Sequence, residues 1–238
     1  ESDALRAYYE QAGILIARPA GGTSCRLAIS AKGGTNAENH NHNDVGSYAV
    51  ALGSETMVGD QGGPNSYPGD YFNGDAPQKY KIKGSFGHPV PVVDGRTQSS
   101  GGKAKGVVLQ KEFTNEKDVF SIDYTSAYST PNLDKLIRTF VYDRQGKGSF
   151  TVGDEFTAKI PIRFETAITT RADWKVLDDT HLLLATDSEQ MIVAIDASGK
   201  VAFTSETIEV NSPAYTRIGI ALKNQSKEGY IRLKMYTK

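Results

Sequence analysis

The sequence predicts an all-β protein: a large antiparallel β-sandwich preceded by one short N-terminal helix. Three observations carry that expectation. More than a dozen short segments with alternating apolar residues recur at regular spacing. Turn-forming residues separate them, and no segment with helical periodicity stands between them. Parallel pairing needs a long crossover after each strand, so strands joined by short turns must pair antiparallel. The 24 glycines and 12 tyrosines also suit strands and turns better than a helical bundle. At 238 residues, the chain can form one large domain or two small ones, enough to bury a sizeable core.

The helix is expected over Ser2–Gln11. Ser2 is placed to cap it, Asp3 lies in its first turn, Ala4, Leu5, Tyr8 and Tyr9 recur at helical spacing, and Gly13 stops it. Strands follow at Gly13–Arg18 and Cys25–Ala31. Val45–Leu52 and Thr56–Asp60 flank Gly53 and Ser54, which read as a tight hairpin. From Gly59 to Gly106 alternation fails and Gly, Pro, Asn, Ser and Tyr dominate. So long an irregular stretch inside a compact protein reads as a functional surface. Alternation returns at Gly106–Phe113, Val119–Tyr128, Leu136–Tyr142, Ser149–Phe156 and Ile162–Thr169. It continues at Leu182–Thr186, Met191–Asp196, Val201–Val210, Thr216–Leu222 and Tyr230–Tyr236.

Composition narrows the function. Lys and Arg total 27 against 28 Asp and Glu, a formal charge of −1, which argues against a dedicated nucleic-acid binder or a polybasic membrane binder. The longest apolar runs are about five residues, too short for a membrane-spanning helix. A single cysteine, Cys25, excludes an intrachain disulfide and a Cys-rich zinc module, without fixing the compartment.

Chemistry points to the histidines. His40 and His42 lie two apart in Asn39-His-Asn-His-Asn-Asp44, so on an extended chain they face the same side, with Asp44 continuing the row. Neutral imidazoles plus a carboxylate make an ordinary zinc set. His88 sits in a stiff Gly87-His-Pro-Val-Pro segment, and His181 reads as a turn residue. The row His40, His42, Asp44 resembles the metallo-β-lactamase H-x-H-x-D run, although Val45 stands where another His is expected. The spacing from Gly34 to His40 and His42 resembles the first cupin motif, without the Glu that motif carries next.

A broader resemblance covers most of the chain in order. Lys32-Gly-Gly-Thr-Asn-Ala-Glu-Asn-His-Asn-His-Asn-Asp-Val-Gly-Ser-Tyr resembles the opening signature of the heparinase II/III-like family. Val58-Gly-Asp60-Gln-Gly62, Tyr67, Tyr80 and His88-Pro-Val-Pro-Val-Val-Asp-Gly-Arg-Thr-Gln98 follow in the family's sequence. Leu136-Ile-Arg-Thr-Phe-Val-Tyr-Asp-Arg and Phe164-Glu-Thr-Ala-Ile-Thr-Thr resemble strands of its β-sandwich. The resemblance implies a polysaccharide lyase acting on an acidic, uronic-acid-containing chain, a glycosaminoglycan or alginate, by β-elimination. It also implies that residues 1–238 form only the C-terminal sandwich. The family's N-terminal α/α toroid would then lie elsewhere in a longer, periplasmic or secreted protein, and this chain alone would have little activity.

By the same resemblance, a largely structural zinc is held by His42, Asp60 and His88, while His40, Tyr67 and Tyr71 face substrate, with Tyr80 nearby. One constraint comes from the residues themselves. Pairing 52 with 55 across the hairpin places Asp60 opposite Ser47, leaving His42 roughly 17 Å away at about 3.4 Å per residue. The chain must therefore bend within Asn43–Gly46. The alternatives are a carbohydrate-binding or structural sandwich without activity, and a cupin-like metal protein in which His40 is a ligand.

Overall fold

In a computed structural model, residues 4–60, 62–209 and 213–238 are described. The first strands are β1 (Arg6–Tyr9), β2 (Ile14–Ala17), β3 (Leu27–Lys32), β4 (Thr35–Asn36), β5 (Tyr48–Leu52) and β6 (Glu55–Val58). A single helical turn, α1 (Ala76–Lys79), precedes β7 (Val92–Val93), β8 (Gly101–Lys105), β9 (Val107–Phe113) and β10 (Lys117–Asp123). Two long strands come next, β11 (Leu133–Asp143) and β12 (Ser149–Ile162). They are followed by β13 (Phe164–Thr170), β14 (Asp173–Asp178), β15 (His181–Ala185) and β16 (Gln190–Ala197). The chain ends with β17 (Val201–Ile208), β18 (Tyr215–Leu222) and β19 (Ser226–Thr237).

The pairings are antiparallel, as short connections require. An eight-stranded sheet runs β14-β15-β16-β19-β12-β11-β10-β9. Facing it are a five-stranded sheet, β1-β2-β3-β5-β6, and a four-stranded sheet, β17-β18-β13-β7, while β4 and β8 form a small ribbon. The facing sheets abut where the Gly59 N–H donates to the Thr169 carbonyl at 3.0 Å. Tyr48 of β5 packs on Phe140 and Phe150, and Phe164 of β13 stacks on Phe156 with ring centres 4.6 Å apart. The core lies between these layers.

The N-terminal helix expected from Ala4, Leu5, Tyr8 and Tyr9 does not form; Ser2 and Asp3 lie outside the described residues. Arg6–Tyr9 is instead a strand paired with Ile14–Ala17 around a turn closed by the Gly13 N–H on the Glu10 carbonyl. Tyr8 packs between Phe113 and Phe120, each 5.7 Å away. Two adjacent tyrosines favour a pleated surface, and sheet packing outweighs a weak helical period.

The alternating pattern of β11 turns Leu136, Arg138, Phe140 and Tyr142 into the core, so a guanidinium occupies an apolar row. Directly across the ladder stands Asp154. Its carboxylate accepts from Arg138 Nε at 2.7 Å and Nη2 at 2.6 Å. Nη2 also donates to Thr166 at 3.1 Å, and Nη1 donates to the carbonyls of Gly46 at 2.7 Å and Pro89 at 2.8 Å. All five N–H groups of the guanidinium are thus used, with Tyr48 and Tyr124 against its faces.

Removing one partner leaves the other charge buried and alone, so Arg138→Ala or Asp154→Ala should each cost about 3–5 kcal/mol of stability. Urea denaturation of the variants, followed by tryptophan and far-ultraviolet signals, checks this. A loss below about 1 kcal/mol would show that the pair is not closed to water.

Candidate functional site

Parts of the irregular stretch anticipated from the sequence meet the loop that runs from β4 to β5. It bends at Asn43–Gly46, as the register argument required: the Ser47 N–H closes on the Asp44 carbonyl at 2.9 Å and Gly46 adopts φ +86°. A side chain at Gly46 would be strained in that conformation and would press on Tyr124 and Arg138. The hairpin register matches the expected 52–55 pairing, then a bulge shifts Val50 to face Val58. Asp60 still reaches Ser47, whose hydroxyl donates to Oδ2 at 3.3 Å.

Gln98 fastens the bend. Its Oε1 accepts from Asn36 Nδ2 at 2.9 Å and from the Val45 N–H at 3.1 Å, while its Nε2 donates to the Val45 carbonyl at 2.7 Å. Asn36 Oδ1 in turn accepts from the Asp44 N–H at 3.0 Å, and Asn43 Nδ2 donates to Ser100 at 3.0 Å. Sequence reading noted Gln98 only as the end of a motif, with no role. A lone amide between turns carries no signal of burial or pairing.

His42, Asp60 and His88 converge, each offering one ligand atom, and these atoms lie within 4.8 Å of one another. The His88 ring is buried and its Nδ1 lies 3.0 Å from Asp60 Oδ2. Asp60 Oδ1 accepts from the Gly62 N–H at 3.1 Å, and the His42 and His88 ring centres are 5.1 Å apart. Burial alone would raise the Asp60 pKa, but the His88 charge and hydrogen bond hold its carboxyl well below the usual range. Burial alone would lower that of His88, but Asp60 outweighs it and the net shift is upward. His42 is pushed down to about 4, first by burial and then by His88, against the pull of Asp60.

The residues fit a metal. His88 Nδ1 and an Asp60 oxygen already face each other at 3.0 Å, and the ligand atom of His42 lies within 4.8 Å of the other two. Two imidazoles and a carboxylate form a common zinc donor set with a position left open. Tyr71, also buried, shares a 3.1 Å hydrogen bond between its hydroxyl and His42 Nε2, the kind of outer contact that orients a ligating ring. Burial raises the Tyr71 phenol to about 12, so it stays protonated near neutral pH.

His40 does not join His42 on one face. The chain between β4 and β5 turns, with His40 at φ +59°, so the extended geometry behind the same-side argument is absent. The His40 ring lies 4.6 Å from that of Phe72, tilted by 37°, and Asp44 turns inward to Lys32. Among the described residues, the metal-competent group does not include His40, contrary to the cupin-like alternative. His40 instead lines a neighbouring cleft of about 440 Å³ with Asn36, Asn41, Asn43, Phe72 and Lys83. Tyr67, 55% exposed, and Phe72, 49% exposed, form an aromatic ledge with ring centres 5.2 Å apart. Tyr80 donates to Asp70, and His181 pairs with Asp178 at a hairpin end far along the chain. Phe72 and Lys83 escaped sequence reading because nothing local separates them from other loop residues.

No family profile matches the sequence, and no curated protein is significantly similar. Solved structures do resemble it. The heparan sulfate lyase HepC from Pedobacter heparinus aligns over 99% of this chain and 37% of its own, with TM-score 0.78 and 15% identity. A structure described as heparinase III aligns over 98% of this chain and 36% of its own, with TM-score 0.75 and 17% identity. The heparinase III product of gene BT4657 aligns over 99% and 36%, with TM-score 0.75 and 13% identity. The chain therefore has the fold of a part of these enzymes and spans little more than a third of their length. Among the described residues, no helix is long and apolar enough to cross a membrane.

The two histidines should titrate apart in metal-free protein. His42 falls from its ordinary 6.5 to about 4, so its contribution to stability is present above about pH 6.5 and is lost as pH falls toward 4. His88 moves the other way, so its contribution is present below about pH 6.5 and is lost as pH rises through its folded value. Side-chain ¹⁵N–¹H NMR across pH 3–9 reads the rings separately, and a His42 midpoint near 6.5 would contradict the burial described.

Proposed function

We propose that this chain is the β-sandwich domain of a polysaccharide lyase that cleaves uronic-acid-containing polysaccharide by β-elimination. The observation that carries this reading is the meeting of His42, Asp60 and His88 beside an asparagine-lined cleft that also holds His40 and an aromatic ledge. The likeness to heparan sulfate lyase structures supports it.

β-Elimination removes the proton α to a uronate carboxylate and expels the sugar oxygen at the β position. A base must take that proton, an acid must supply the leaving oxygen, and the charge growing on the carboxylate must be offset. In this reading His40, which lines the cleft, and Tyr67, exposed beside Phe72, exchange protons with a bound sugar. Tyr71 is buried, so its contribution is through His42, whose ring its hydroxyl orients. Zinc, when held by His42, Asp60 and His88, supplies positive charge and fixes the loops that carry these groups. A second domain, the toroid, completes the site in a longer protein exported to the periplasm or outside the cell, and this chain alone has little activity.

The Tyr67–Phe72 ledge also favours a second reading, a carbohydrate-binding sandwich without catalysis.

Purified protein should contain about one equivalent of zinc by elemental analysis. His42→Ala should lose it and His40→Ala should keep it; metal-free wild-type protein would defeat the zinc centre. In the longer protein, uronate polymers should yield the ultraviolet absorbance of an unsaturated product. His40→Ala should lower kcat by about 10²–10⁴ with zinc retained. No absorbance across a panel of uronate polymers would leave the binding-only reading.

A further inference from the structure

Lys83 is buried, only 6% exposed, yet it lines the cleft beside His40. Its backbone is fixed on both sides: its N–H donates to the Tyr80 carbonyl at 2.9 Å, and its carbonyl accepts from the Asn43 N–H at 3.0 Å. The ammonium lies 4.8 Å from the centre of the Tyr71 ring and 4.9 Å from that of Phe72, and it donates to the Tyr71 carbonyl. An ammonium has three N–H donors, so one carbonyl leaves two without a strong acceptor.

Of the acids nearby, Asp70 is held by Lys79, Asp44 by Lys32 and Asp60 by His88, while Glu38, which also lines the cleft, accepts from the Thr35 hydroxyl at 3.0 Å. Among the described residues no carboxylate comes within 4.0 Å of Lys83 Nζ. Burial accordingly lowers its pKa, with no neighbouring charge offsetting the shift. An ion removed from water without a counter-ion is costly, and aromatic faces return only part of that cost. The cleft side is where an anion can complete the set. The walls there are polar: Asn36, Asn41 and Asn43, whose Nδ2 groups are bonded within the protein, and Ser100.

We propose that Lys83 is the receptor for the acidic group of the bound sugar, an oxyanion of a uronate or a sulfate ester, and so selects charged over neutral sugars. This deepens the lyase reading and rests on it for the substrate, while the anion site itself is tested independently of turnover.

Lysine Nζ resonances are followed by ¹⁵N–¹H NMR as glucuronic acid, glucose 6-sulfate or glucose is added to wild-type protein. The Lys83 signal should shift saturably with one or both anionic sugars and stay fixed with glucose. The larger response assigns carboxylate or sulfate. Lys83→Met should bind the preferred anion at least about tenfold more weakly, the loss of one charge-assisted hydrogen bond, and Lys83→Arg should retain part of the affinity. A Lys83 signal indifferent to both anions, or a Lys83→Met variant that binds them as wild type does, would overturn the assignment. If the longer protein makes unsaturated product and Lys83→Met leaves kcat/KM unchanged, this proposal fails and the lyase reading stands. If the anions move Lys83 but no polymer is cleaved, the reverse holds.

Discussion

A single buried guanidinium sets the geometry on which the rest depends. Arg138 sits in the inward row of a core strand and is neutralised by Asp154 directly across the ladder. Its remaining N–H groups reach out of the sheet to Gly46 and Pro89. Gly46 belongs to the bend that follows His42, and Pro89 is the residue after His88. Two chain segments more than forty residues apart are thereby held at one spacing by one side chain. An apolar residue of similar size would fill the volume but could not hold two carbonyls, and a lysine lacks the planar fork.

Around that anchor, polarity is sorted by depth. The amide of Gln98 satisfies the backbone of the bend where water is excluded, and the His88 ring is buried against Asp60. Asp60 is 32% exposed, His40 and Tyr67 open outward, and Lys83 lies between. The protonation pattern follows the same gradient. His42, crowded by burial and by a second imidazole, is kept neutral, which is the state a metal ligand must have. Tyr71, with its phenol held protonated, steadies that ring. The likeness to heparinase structures at low identity is a likeness of fold, since a sandwich tolerates extensive substitution while its pattern and volume are kept.

Strand existence was legible wherever one face is buried, because alternation is then imposed by the core. The long strands around Leu136–Tyr142 and Tyr230–Tyr236 stood out for that reason. Two failures mark the limit. Arg6–Tyr9 carried a helical spacing too short to outweigh pairing with Ile14–Ala17. Asp173–Asp178 was missed because it is an edge strand with both faces largely exposed, which leaves no alternation to read. The hairpin register was legible for its first two pairs and then lost at a bulge that no residue type announces.

Local order along the chain determined an antiparallel sandwich, an irregular stretch within it, and the need for a bend between His42 and Asp60. Those follow from side-chain periodicity and from the fixed reach of extended backbone, which act over a few residues. Only the tertiary structure decided that His40 and His42 part company, that Asp44 turns to Lys32, and that Lys83 is buried at the cleft without a carboxylate. Each of those depends on a single positive φ or on a packing partner about a dozen or more residues away. Such choices are made by the balance of burial and charge in three dimensions.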